Sequence, residues 1–388
     1  MSYGADLSFG WYQPTRIVFG VGAVKETGLE LKRLGVERAA VLTDRVLRER
    51  TDVVAKVERA LGGRLVGIFD GVVADSPAEV IDRAATWARE RGADGLVSVG
   101  GGSAIDTAKG VAMVLTEGGA IRDHQGSQRL TRRQTPHLAI PTTAGTGSEV
   151  SMYSVVLDET AHEKMHFADE RIIPDTALLD PELTLDMPAW LTAATALDAL
   201  THAIEAYLSI ARQPLADAAA LGAIRLLGRY LPEALADGNS ILARGQLLLA
   251  ANLAGQAFNG SGVGLAHAMA HVIGARYHVH HGTANAICLP HVMRWCADEF
   301  APRLAEIAVA LGESVAGVST DQAAGRAADR VAALVRKSGL PTRLAEVQVP
   351  EAELRACAVA SLSDGAIVYS GKFAADEELV LSVYRAAF

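Results

Sequence analysis

Gly95-Leu96-Val97-Ser98-Val99-Gly100-Gly101-Gly102-Ser103-Ala104-Ile105-Asp106-Thr107-Ala108-Lys109 is the stretch that decides the fold class. Gly95 to Val99 is short and mostly apolar, as a strand buried on both faces should be. Three glycines follow at once and a helix opens behind them. Glycine lets the backbone approach a diphosphate closely, and the helix N-terminus offers unpaired N–H groups and a positive dipole end. Such a turn by itself is ligand-free about as often as not. Here a second one follows the next apolar run: Pro141-Thr142-Thr143-Ala144-Gly145-Thr146-Gly147-Ser148-Glu149 crowds hydroxyls and flexible backbone after His137 to Ile140. Ligands of an open parallel sheet gather at the carboxyl ends of its strands, where both turns fall.

Outward from this core, Ala39 to Thr43 and Leu65 to Phe69 are further candidate strands, with Ile17 to Phe19 as an edge strand. Ala-, Glu- and Arg-rich stretches of helical spacing separate them, the pattern of βαβ units in a parallel sheet. Asp44 ends the run AAVLT. An acidic side chain there can accept hydrogen bonds from adenosine ribose hydroxyls while repelling a 2′-phosphate, which favours NAD over NADP; the plain alternative is a helix N-cap. No GxGxxG follows the first strand, so a related dinucleotide fold describes the region better than an ordinary Rossmann domain. After Asp180-Pro181 the chain turns Ala- and Leu-rich and reads all-α. The expected division is an α/β dinucleotide-binding domain over residues 1–185 and an all-helical domain over 186–388.

Composition excludes several other classes. In 388 residues, 50% are hydrophobic and 21% charged, ample for buried cores and wrong for disorder. The net charge of −9 supplies no basic field for nucleic acid or an anionic membrane. Cys288, Cys296 and Cys357 are scattered without a CxxC spacing, so neither a disulfide framework nor a thiolate zinc site is expected. The start has no basic n-region and apolar h-region, and no run reaches about 18 apolar residues. A soluble, cytoplasmic protein is the expectation.

Asp198 and His202 stand four apart in the apolar-periodic stretch TAATALDALTHAIEAY (192–207), one turn apart on one helix face, and can reach one ion. His267 and His271 repeat the spacing in GLAHAMAH (264–271), and His280-His281-Gly282 follows, with His278 and His291 nearby. A lone core histidine is usually just hydrogen-bonded, about four times in five; two helix-spaced pairs and a following His-Gly are harder to dismiss. Nitrogen plus one carboxylate, without thiolate, suits Fe2+, Zn2+ or similar divalent ions at a site open to substrate.

At this point the chain resembles the iron-containing, or group III, alcohol dehydrogenases over nearly its whole length. The resemblance is carried by PTRIVFGVGAV, GGGSAIDTAK, IPTTAGTGSEV, PDTALLDPELT, DALTHAIEAY, GLAHAMAH and HHGTANAICLPHV, in the family's order. It implies a dehydroquinate synthase-like architecture and one divalent metal, Fe2+ before Zn2+, held by Asp198, His202, His267 and His281. His271 matches a non-ligand histidine that transfers a proton or orients substrate. Asp44, Gly101, Gly102, Ser103, Asp106, Thr142, Thr143, Thr146 and Lys164 fall on positions resembling the family's NAD site. For Asp106 and Lys109 the alternative is a helix-surface residue or a buried pair, and for Lys164 a solvated loop lysine. The implied activity is reversible hydride transfer between NAD(H) and a small alcohol or aldehyde, in a homodimer or larger homo-oligomer.

The chain also departs from the family. Ala196 stands where Gly usually precedes the DALTHA segment, Gly260 replaces an Asn, Ser151-Met152-Tyr153-Ser154 lies where substrate-facing residues are expected, and the Asn-Pro-Arg before the last helix is missing. Two other functions compete: a dehydroquinate synthase-like lyase on the same scaffold, and a catalytically silent metal- or nucleotide-binding protein.

Overall fold

A computed structural model describes residues 3, 7–160, 163–374 and 376–388. The chain forms two compact units, Tyr12–Asp186 and Met187–Phe388, the second joined by the described residues before Tyr12. The N-terminal segment thus differs from the expectation of one domain over residues 1–185, and two contacts give the reason. The Tyr3 hydroxyl donates to Asp217 Oδ2 at 2.5 Å. The Trp11 ring fills the space at Gly260, where an added Cβ would come within 2.6 Å of it.

The α/β unit contains strands β1 (Arg16–Phe19), β2 (Ala39–Asp44), β3 (Leu65–Val72), β4 (Gly95–Gly100), β5 (Gly126–Ser127), β6 (His137–Pro141), β7 (Tyr153–Asp158), β8 (Glu163–Ala168) and β9 (Thr176–Leu179). Its helices are α1 (Thr27–Leu34), α2 (Arg45–Arg50), α3 (Val53–Leu61), α4 (Ala78–Glu90) and α5 (Gly102–Glu117). Six strands pair in parallel in the order β1-β9-β6-β4-β2-β3, with β1 at the edge as expected. Both faces are covered, because successive β2 residues enter different cores: Ala40 and Leu42 pack with Ile81, Ala108 and Val111, while Ala39 and Val41 pack with Leu31, Val57 and Leu138.

Four strands, the two-residue β5 together with β7, β8 and β9, lie outside the sequence-based expectation. The buried positions of β7 are Ser154, Val156 and Asp158, so polar side chains blur the apolar alternation that marks a half-buried strand. Its partner β8 runs antiparallel to it. In β9 the buried run TALL is as compatible with a helix as with a strand.

Helices α6 (Ala189–Leu208), α7 (Pro214–Ala236), α8 (Ile241–Ser261), α9 (Leu265–Tyr277), α10 (His281–Trp295), α11 (Ala297–Ala310), α12 (Thr320–Ser338), α13 (Leu354–Leu362) and α14 (Glu377–Ala387) build the second unit. Every residue of α6 from Thr192 to Leu208 is buried, which makes it the central helix. Its departure from the family, Ala196, is one of these buried residues. No described helix is long and apolar enough to cross a membrane.

Candidate active site

In the α/β unit the register brings the expected nucleotide residues to one edge. Gly100 is paired with Pro141, and Thr142 N donates to the Gly100 carbonyl at 3.0 Å. The glycine turn after β4 and the threonine-rich turn after β6 are therefore neighbours, and β2, ending in Asp44, flanks β4 on its other side. The two turns pack closely: a Cβ on Gly102 would lie 2.8 Å from Thr146 Cγ2, too near for any side chain there, and one on Gly101 would lie a tight 3.2 Å from Thr143 Oγ1. Gly101 N-caps α5 and Ser103 lies in its first turn. Asp44 does cap α2, with Oδ1 accepting from Leu47 N at 2.9 Å. Its Oδ2 faces the glycine turn, 3.9 Å from where a Cβ on Gly100 would sit, so the capping role leaves an acceptor for a ligand.

Two of the expected residues have other partners. Lys164, on β8, donates to Asp75 Oδ1 at 3.0 Å. Asp106 Oδ2 accepts from Val155 N at 3.1 Å, which ties it to β7, and burial raises its pKa. With Lys109 fully buried and 3.9 Å from Asp106 Oδ1, the buried-pair alternative describes these two.

In the helical unit, α6 presents Asp198, His202 and Glu205 at positions i, i+4 and i+7 of one face. Helix α10 approaches that face closely because its second residue is glycine: a Cβ on Gly282 would lie 2.2 Å from the Ala194 carbonyl oxygen. Asp198, His267 and His281 thereby converge, each offering one ligand atom within 4.8 Å of the others. His281 Nε2 is 3.4 Å and His267 Nε2 3.8 Å from Asp198 Oδ1. His202 is outside this group of three, its ring stacked on His267 with centroids 4.5 Å apart and 4.6 Å from Phe258. His280 meets Trp190 edge-on at 5.5 Å, His278 caps α9 in a left-handed conformation, and burial pulls His291 down to about 4. These three take no part in the cluster.

Electrostatics suit a cation here. Burial alone would raise the Asp198 carboxyl, but His202, His281 and His267 together with a hydrogen bond from Asn285 hold it at about 2. Burial and the surrounding histidines keep His281 well below its ordinary value despite the pull of Asp198, so it stays a neutral donor. His267 is buried, and its Nε2 makes no hydrogen bond among the described residues. Such a lone pair aimed into a cluster with one carboxylate fits a divalent metal.

Three residues beyond the sequence-based set complete the site. Glu205 accepts from His267 Nδ1 at 2.6 Å and from Gly264 N and Ala266 N at 2.9 and 2.6 Å, which fixes the tautomer that frees Nε2. Its spacing from Asp198 in DALTHAIEAY was the available signal. Asn285 donates to Asp198 Oδ1 at 2.7 Å, one turn beyond His281. Asp364 accepts from His271 Nδ1 at 3.0 Å; it lies in a distant irregular segment where no local pattern marks it. We expect Glu205→Gln to weaken divalent metal binding by about 10–100-fold, read by competition with a chromogenic chelator; unchanged affinity would show that His267 needs no orienting carboxylate.

Comparison with known proteins shows the family. Residues 14–181 match the family described as iron-containing alcohol dehydrogenase, and residues 192–388 match the Fe-containing alcohol dehydrogenase family, C-terminal. The chain is 39% identical over 356 residues to the NAD-dependent methanol dehydrogenase of Bacillus methanolicus, covering 91% of this chain and 93% of that one. It is 38% identical to the 1,3-propanediol dehydrogenase of Klebsiella pneumoniae, covering 98% and 99%. A solved 1,3-propanediol oxidoreductase superposes with a TM-score of 0.96 at 36% identity, covering 98% of this chain and all of that one. This chain belongs to the iron-containing alcohol dehydrogenase family.

Proposed function

We propose that this chain is a metal-dependent NAD(H) alcohol dehydrogenase and aldehyde reductase, acting reversibly on a small primary alcohol or aldehyde. The buried His267 Nε2, which makes no hydrogen bond among the described residues, in its cluster with Asp198 and His281 is the observation that carries the reading. Asp198, His267 and His281 would hold the ion, with His202 as the fourth ligand, and Fe2+ is preferred to Zn2+. A divalent cation supplies Lewis acidity toward the substrate oxygen and offsets the charge that develops there.

The chain's own residues do the rest. Glu205 orients His267, and Asp364 holds Nδ1–H of His271 so that Nε2 can take the alcohol proton or return it. The His271 side chain is 24% exposed, which leaves it a route to exchange that proton with water. Gly101, Gly102 and Ser103 with Thr142, Thr143 and Thr146 receive the cofactor diphosphate at the start of α5. Lys164 adds a positive charge to that edge, and Asp44 accepts from the ribose hydroxyls.

Names of the relatives make methanol and 1,3-propanediol the first substrates to try. Protein purified without oxygen, analysed for metal and assayed for net NADH formation tests the proposal. A lyase that recycles NAD, or a silent binding protein, gives no net NADH from any alcohol. Asp44→Asn preserves the α2 cap while removing the charge. The ratio of kcat/KM for NAD to that for NADP should fall about tenfold or more; an unchanged ratio would leave Asp44 a cap and nothing else.

A further inference from the structure

We infer that Lys109 is a positioning residue of the nucleotide site: its buried ammonium fixes the segment that leaves the threonine-rich turn, and it does not touch the cofactor itself. The inference rests on reading the α/β unit as the NAD(H) site. Lys109 is fully buried, an unusual place for an ammonium, and one that requires partners for its three protons. It donates to the carbonyl oxygens of Ser151 at 2.9 Å and Tyr153 at 2.6 Å, with Ser151 Oγ at 3.4 Å. Asp106, one turn earlier on the same face of α5, lies 3.9 Å away. Burial pulls the ammonium down to about 8, with Asp106 and Glu149 acting against that pull.

The acceptors identify what is being held. Ser151 and Tyr153 follow directly on the turn Thr142–Glu149, and Asp106 secures the next residues by accepting from Val155 N at 3.1 Å. The Ser154 hydroxyl adds a weaker bond to the Asp106 carbonyl at 3.4 Å. At its N-terminal end the same helix packs Gly101 and Gly102 against Thr143 and Thr146. Helix α5 thus grips the threonine-bearing loop at both ends, through glycines at one and an ion pair at the other. The second grip also sets the hairpin that carries Lys164, since Leu157 on β7 pairs with Lys164 on β8. Without the ammonium, the Ser151 and Tyr153 carbonyls lose their donor and the Asp106 carboxylate loses the charge beside it, and the segment has to move to regain a donor.

The test compares Lys109→Met and Lys109→Arg with the unmodified chain, measuring NADH affinity by calorimetry, metal content, and kcat at saturating NAD. In Lys109→Met the NADH dissociation constant should rise about tenfold or more, with full metal content and kcat within about twofold. Lys109→Arg keeps the charge but places its donors differently, and should weaken NADH about threefold. If Lys109→Met gives no folded protein, the arginine variant decides. Wild-type NADH affinity in either folded variant overturns the inference, as does a loss of metal and kcat in step with affinity, which would mark a general structural defect. Failure of the unmodified chain to bind NADH would instead overturn the nucleotide-site reading, whatever the variants do.

Discussion

Asp198→Asn should empty the metal site and lower dehydrogenase activity by about a thousandfold or more. Asp198 is the one anion of the ligand set, and its carboxyl is held at about 2 by the histidines that crowd it. Asparagine has nearly the same shape and can still accept from Asn285, so the helices around it keep their packing, but the charge that balances a divalent cation is gone. Lewis-acid stabilisation of the developing charge amounts to several kcal/mol. At about 1.4 kcal/mol per tenfold in rate, losing it gives the stated drop. Metal content by atomic absorption, NADH affinity by calorimetry and turnover on a primary alcohol together check the expectation. Nucleotide affinity should be unchanged, because the glycine and threonine turns belong to the other unit. A variant that keeps stoichiometric metal and near-normal turnover would remove the cation from the mechanism and with it most of the functional reading.

How far the sequence spoke for itself differs between the two halves of the chain. The strand-turn-helix at Gly95–Lys109 was legible because every step obeys a local rule: an apolar run, three glycines, then helical spacing. The hairpin from Tyr153 was not, since its buried face carries Ser154 and Asp158, whose partners lie elsewhere in the chain. In the helical half, spacing alone brought Asp198 and His202 to one face and His267 and His271 to another. It could not show that α9 and α10 converge on α6, because that depends on the contact at Gly282. Glu205 stood in plain view at i+7 from Asp198. Asp364 is 93 residues from the histidine it meets, and the contact between them is set by tertiary packing. Lys109 illustrates the opposite risk. It belongs to the motif that signals a nucleotide site, yet its donors are spent on backbone carbonyls.

His271→Ala should lower kcat by about 100-fold to 10,000-fold while metal content and NADH affinity stay intact. The geometry separates His271 from the ligands: it is not in the Asp198, His267 and His281 group, and its Nδ1 is taken by Asp364 at 3.0 Å. Its ring nonetheless stacks on His281 with centroids 5.4 Å apart and planes within 15°, so Nε2 is carried on a ring packed beside the cluster. Alanine removes the imidazole, and with it the stacking on His281, but takes away no ligand atom, and the proton must then pass to water unaided. Asp364→Asn should give a smaller loss in the same direction, since an amide can present its own N–H to Nδ1 and stabilise the wrong tautomer. Metal analysis alongside single-turnover rates separates the possibilities. If His271→Ala lost its metal, the histidine would have to be counted among the ligands, and the role of proton carrier would pass to another group.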